Sequence, residues 1–193
     1  GRRVLAADVR GRGQSDRDPN PANYNPLVYA GDVISLMAAA SLTGAIFIGT
    51  SMGGLITMTL SAMRPDLIAG IVLNDVGPEV GAAGLARIAG YVGGGSAVAD
   101  WAEAGAYCRA INGEALPGLA DADWVRFARR VFRETPSGAL ELDYDPAISN
   151  AFKSADAPSE AAVPPDLWPL FLHPEEYAQA CPSDAALGLA TLT

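Results

Sequence analysis

Two hydrophobic rhythms alternate along the first eighty residues. Val4-Leu5-Ala6-Ala7-Asp8-Val9 is a short apolar run that predicts a strand delivering the glycine-rich polar turn Arg10-Gly11-Arg12-Gly13-Gln14-Ser15-Asp16. Three prolines and three asparagines crowd residues 19–26 and deny that segment both helix and ladder. From Leu27 to Ala40, Tyr29, Val33, Leu36 and Met37 recur at helical spacing, and Ser41-Leu42-Thr43-Gly44 forms the exit. The β-branched and aromatic run from Ala45 to Gly49 predicts a buried strand, and a helix-compatible segment follows it. A second apolar run, Ile68 to Leu73, begins after Arg64-Pro65-Asp66 as a following strand would. Strand, helix, strand, turn, helix, strand is the order of a parallel sheet with covering helices and right-handed crossovers.

Beyond Asn74-Asp75-Val76-Gly77-Pro78 the texture changes to alanine, glycine and short helical patterns. One helix is expected from Trp101 to Ala110 and a stronger one from Asp121 to Phe132. The second places Trp124, Phe127, Ala128, Val131 and Phe132 on one face, a stripe read as packing rather than as a ligand box. Leu140-Glu141-Leu142-Asp143-Tyr144 alternates like a short edge strand, and Ala155 to Pro165 is alanine- and proline-rich, hence linker-like. No internal repeat is visible.

Composition narrows the function classes. With 50% hydrophobic and 18% charged residues over 193 positions, the chain is globular and long enough to bury a sizeable core. A net charge of −9 argues against a nucleic-acid partner, since phosphate binding is driven by lysine and arginine. Cys108 and Cys181 lie far apart with no CxxC spacing, which suits ordinary thiols in a reducing, cytoplasmic setting and offers no metal site. No cofactor motif is present. Val33 to Met63 carries no charge, but Ser41, Thr43, Gly44, Gly49, Thr50, Ser51, Gly53 and Gly54 cut it into helix end, turn and strand, so a membrane span is rejected.

The candidate chemistry lies in Gly49-Thr50-Ser51-Met52-Gly53-Gly54. A Gly-x-Ser-x-Gly between a strand and a helix reads as a nucleophile elbow, in which a sharp turn lifts the serine hydroxyl clear of the sheet edge. Gly49 and Gly53 are expected to remove β-carbons where strand and helix cross, with Gly54 adding clearance. The bland alternative is a glycine-rich helix start with a capping serine.

These residues together resemble the α/β-hydrolase family. Asp8-Val9-Arg10-Gly11-Arg12-Gly13-Gln14-Ser15-Asp16 is similar to the DxRGxGxSD turn after that fold's fourth strand, the Ser51 motif to the elbow after its fifth, and Ile71-Val72-Leu73-Asn74-Asp75 to its sixth strand. The resemblance implies a partial α/β-hydrolase core over residues 1–79, a mostly helical cap over 80–172 and a divergent tail over 173–193. It further implies Ser51 as nucleophile, the Met52 backbone N–H as one oxyanion donor, and Asp75 as the candidate triad acid at the end of the sixth strand. Asp8, Arg10 and Asp16 match positions that brace the turn. Serine at the nucleophile position disfavours the epoxide-hydrolase and dehalogenase branches.

Other family features have no counterpart. The first three strands and the second oxyanion loop would precede Gly1. The family's catalytic histidine follows a late strand, whereas the single histidine, His173, stands in Leu172-His173-Pro174-Glu175 and reads as a surface residue at a helix start. The segment from His173 onward fits no strand of the fold, which suggests a frameshift or early stop upstream of it. Because the family's third strand lies between its fourth and fifth, Val4–Val9 is expected either to be displaced or to stand unpaired. What the resemblance implies is a serine hydrolase that cleaves an ester, lactone or activated carbon–carbon bond of a small acyl substrate. The alternative is a catalytically dead fragment or a binding protein on the same fold. The sequence carries no signal of oligomeric state.

Overall fold

The computed structural model describes residues 1–77, 81–95 and 97–152, with the backbone alone at 82, 83, 151 and 152. His173, Cys181, the linker-like segment and the tail lie outside the described residues. Contacts divide the described chain into two units, one of residues 22–86 and one joining 1–21 to 87–150.

In the unit of residues 22–86, α1 spans Pro26–Ala39. Its start is fixed chemically: Asn25 accepts from the Val28 amide through its side chain at 3.0 Å, and Pro26 fills the first helical position, where no amide is needed. The helix ends as Ser41 turns into the left-handed region (φ 54°) and the Leu42 amide reaches the Met37 carbonyl at 2.9 Å. β1 (Ala45–Thr50) then pairs in parallel with β2 (Ile68–Asn74), in a register that sets Thr50 opposite Asn74. Between them runs α2 (Met52–Met63), which packs on both strands and against α1. Buried Ile56, Met58, Leu60, Ile71 and Leu73 form this core together with Tyr29 and Met37. Thr57 and Ser61 are buried there too, and each donates its hydroxyl to a carbonyl of α2, Gly53 and Met58 respectively.

The expected strand over Val4–Val9 is not formed, and of the two outcomes expected for it the unpaired one is observed. Residues 1–9 join no ladder, and Val4 is 82% exposed. Strand propensity alone cannot hold an isolated segment, because a strand's amides and carbonyls need a neighbour. The following turn is ordered. Gly11 donates to the Asp16 carbonyl at 2.8 Å, and the edge beyond Leu142 takes up the same turn, with Gly13 donating to the Asp143 carbonyl at 2.9 Å.

α3 covers Ala82–Tyr91 and α4 Trp101–Asn112. The Asp100 carboxylate accepts from the amides of Ala102 and Glu103 at 2.8 and 2.9 Å, and Glu103 reaches back to the Ala99 amide. α5 spans Asp121–Ala128, four residues short of the expected Phe132. The chain leaves the helix because Phe132 opens β3 (Phe132–Glu134), which pairs antiparallel with β4 (Leu140–Leu142). From that strand its ring meets Tyr107 edge-on, at 5.5 Å between centroids. Trp124, Ala128 and Phe132 are buried with Ala104, Cys108 and Leu140, so the aromatic stripe is packing. Among the described residues no helix is long and apolar enough to cross a membrane.

Candidate active site

Ser51 sits between the last residue of β1 and the first of α2, with φ 49° and ψ −115°. That backbone lies far from any broadly allowed region for a residue with a β-carbon, so the turn is strained at its serine. Three hydrogen bonds hold it there. The Ser51 amide donates to the Asn74 carbonyl at 3.0 Å, and the Ser51 carbonyl accepts from Gly54 and Leu55 at 2.8 and 3.2 Å. The serine makes no side-chain cap, its side chain is exposed, and its hydroxyl has no partner among the described residues. The capping-serine alternative is therefore overturned: the strained φ carries the hydroxyl away from the amides that a cap would bond.

The same geometry leaves the first amides of α2 open. Met52 and Gly53 lie in the first turn, where no intrahelical acceptor exists, and neither amide finds another acceptor among the described residues. Two open N–H groups beside an exposed hydroxyl, at the positive end of a helix dipole, can receive a developing negative charge.

Clearance at the turn comes from a different glycine pair than the motif suggests. A β-carbon on Gly49 would lie 2.4 Å from the Gly53 carbonyl oxygen, and one on Gly54 would lie 2.2 Å from Val76 Cγ1 and 3.4 Å from the Gly49 carbonyl oxygen. One on Gly53 would meet nothing within 4 Å. Gly53 thus corrects the sequence expectation: its α-carbon faces away from the crossing, and Gly54, one residue on, takes the close approach.

Asp75 follows β2 as Ser51 follows β1. It too has a left-handed φ, of 54°, and its side chain is exposed. The Asn74 side-chain amide donates to Thr50 Oγ1 at 3.2 Å, tying the two strand ends one residue before both candidates. Sequence reasoning missed Asn74, although counting the parallel register forward from the two apolar runs would have placed it beside Thr50.

The bracing residues of the turn at 8–16 belong to the other unit. Asp8 accepts from the Gln14 amide at 3.0 Å through its carboxylate, and its carbonyl accepts from Ser15 Oγ at 2.6 Å. Arg10 pairs with Asp18, and Asp16 accepts the Gly11 amide through its carbonyl. In that unit Cys108 is buried, and burial pushes its thiol pKa up. Burial likewise raises Tyr107, with the neighbouring phenols of Tyr144 and Tyr91 adding to it. Such a thiol is inert at neutral pH and makes no nucleophile. Among the described residues no group of three or more His, Cys, Asp or Glu could hold a metal ion.

Comparison with known proteins gives a consistent picture. The family model described as the alpha/beta hydrolase fold matches residues 1–159. The 3-hydroxybutyrate-oligomer hydrolase of Cupriavidus necator is 29% identical over 180 residues, covering 88% of this chain and 58% of that protein. Esterase YbfF of Escherichia coli is 37% identical over 75 residues, 39% of this chain and 28% of the esterase. The crystal structure of an alpha/beta hydrolase from Novosphingobium aromaticivorans superposes with a TM-score of 0.77 at 33% identity, covering 96% of this chain and 70% of that one. The chain thus spans little more than half the length of the Cupriavidus enzyme.

Proposed function

The chain belongs to the α/β-hydrolase family, and from that premise we propose that it carries the nucleophile of a serine hydrolase acting on a small ester, lactone or activated carbon–carbon bond. The reading rests above all on the strained, uncapped and exposed Ser51 at the junction of β1 and α2. Ser51 Oγ attacks the acyl carbonyl carbon and gives its proton to a base. The Met52 amide stabilises the oxyanion, and collapse of the tetrahedral intermediate, with the base returning its proton to the leaving group, expels the alcohol of an ester or lactone or the carbon acid of a carbon–carbon bond and leaves an acyl-Ser51 ester for water to cleave. Asp75, beside Ser51 at the strand ends, is the candidate acid that would orient the base. In the family that base is a histidine, and the only histidine in the sequence, His173, lies outside the described residues.

Relatives that cleave 3-hydroxybutyrate oligomers or bear the name esterase favour an oxyester of a short acid as substrate. Residues 80–172 would serve as the cap that shapes substrate choice, with 173–193 as a separate tail. Unpaired cysteine spacing supports a cytoplasmic setting. The test is covalent: a fluorophosphonate probe should label the natural full-length protein at Ser51 and leave Ser51→Ala unlabelled. Equal labelling of the two, or none of the wild type, would overturn the assignment.

A further inference from the structure

The unit of residues 1–21 and 87–150 contains a cavity of about 180 Å³, below the roughly 300–1,000 Å³ of sites for drug-sized ligands. Its room suits a molecule of a few heavy atoms. One wall is the bare backbone of Gly93, Gly94 and Gly95. Gly93 and Gly95 are glycine because the space behind them is filled. A β-carbon on Gly93 (φ 75°) would lie 2.3 Å from Ser149 Cβ, and one on Gly95 (φ 122°) would lie 3.0 Å from Leu142 Cδ1 and 3.4 Å from the Tyr107 oxygen.

Three polar side chains complete the lining, and each has unspent capacity. Arg17 is exposed and makes no ion pair among the described residues. Tyr144 accepts the Gly93 amide at 3.0 Å, which leaves the phenol's own proton to donate. Glu141 engages Arg133 through Oε1, and its other oxygen remains an acceptor. A cation, a hydroxyl donor and a carboxylate acceptor around one small space complement a monoanion that also carries a hydroxyl. Glu141 disfavours a dianion such as phosphate, and Arg17 disfavours an amine.

We propose that this cavity binds a short free hydroxycarboxylic acid, its carboxylate on Arg17 and Tyr144 and its hydroxyl on Glu141. Calorimetric titration of the natural full-length protein should give saturable binding of 3-hydroxybutyrate, weaker binding of butyrate and none of butan-2-ol. Arg17→Gln, a change at an exposed position, should weaken 3-hydroxybutyrate by about tenfold or more. Unsaturable titration, or equal affinity in Arg17→Gln and wild type, would overturn the site. A parallel assay of p-nitrophenyl butyrate hydrolysis tests the hydrolase reading by itself, since its failure leaves the titration result intact.

Discussion

Ser51 and Asp75 leave the sheet side by side, each at a positive φ, 49° and 54°, one residue past the register pair Thr50 and Asn74. The Ser51 amide bonds the Asn74 carbonyl at 3.0 Å, so the two strand ends turn as a unit. Parallel strands direct their C-terminal ends to the same edge, and two consecutive strands therefore bring a hydroxyl and a carboxylate to one rim without any long-range adjustment.

The strain at Ser51 gives the first prediction. Ser51→Gly should raise stability by about 1 kcal/mol, because glycine accepts a positive φ without steric cost, while Ser51→Ala should leave stability nearly unchanged. Both should abolish ester turnover. Urea midpoints and a p-nitrophenyl ester assay on the two variants of the natural full-length protein check this. A Gly variant no more stable than Ala would show that the turn carries no strain.

The second prediction separates the three glycines. Gly49→Ala forces a methyl into the Gly53 carbonyl, backbone against backbone, and should destabilise by about 3 kcal/mol or more. Gly54→Ala meets chiefly the end of the Val76 side chain and should cost less, about 1 to 2 kcal/mol. Gly53→Ala meets open space on an α-helix and should be neutral or stabilising by up to about 1 kcal/mol. The same ranking by chemical denaturation is the expected result. Gly53→Ala proving the most harmful would contradict it.

Much of the elbow was legible in the sequence, and the reason is that it is local. The apolar runs at Ala45–Gly49 and Ile68–Leu73, the Gly-x-Ser-x-Gly between them, and the helix that follows are all set by neighbouring residues. What the sequence could not show depended on partners distant in the chain. Val4–Val9 has strand propensity but no ladder; α5 stops at Ala128 because Phe132 is drawn into a hairpin with Leu142. Gly54 rather than Gly53 faces the strand because the crossing geometry, not the motif, decides which α-carbon touches. The Asn74 contacts follow from register, which no single segment encodes.

Cys108 supplies a third prediction. Its buried thiol has a raised pKa, so the fold favours the neutral form. That contribution is complete below the unfolded thiol pKa of about 8.5 and is lost as pH rises through the higher folded value. In a Cys181→Ser background, iodoacetamide at pH 8 should modify Cys108 only through opening of the fold, at least about a hundredfold more slowly than in urea. Equal rates in native and denaturing buffer would show that the thiol is accessible.

A fourth concerns the second core. Trp124 is 2% exposed and packs with Ala104, Cys108 and Phe132. Trp124→Ala should cost about 3 to 5 kcal/mol and melt α4 and α5 together. Amide exchange is the discriminating measurement: protection should fall across Trp101–Asn112 and Asp121–Ala128, while Ile71 and Leu73 in β2 keep theirs. Uniform loss throughout the chain would mean that the two units unfold as one.

The last prediction concerns the uncovered side of the sheet. Among the described residues β1 has β2 as its one strand neighbour, and the side chains of Ile46 and Ile48, on the face away from buried Ile71 and Leu73, are 53% and 76% exposed. A parallel strand is normally covered on both faces, and an apolar strand with a free edge presents a row of amides and carbonyls on which another chain can pair. The 193-residue chain should therefore self-associate through β1, with aggregation rising steeply with concentration. Replacing Ile46 and Ile48 together by lysine places two charges on the open face without touching the buried side, where Phe47 and Gly49 lie. Light scattering of the double variant should fall several-fold at equal concentration, since charges on an edge strand oppose edge-to-edge pairing. The far-ultraviolet circular dichroism should stay the same, which separates suppressed association from loss of the fold. Unchanged scattering with an intact spectrum would place the association elsewhere and show that the open face of β1 is not its route.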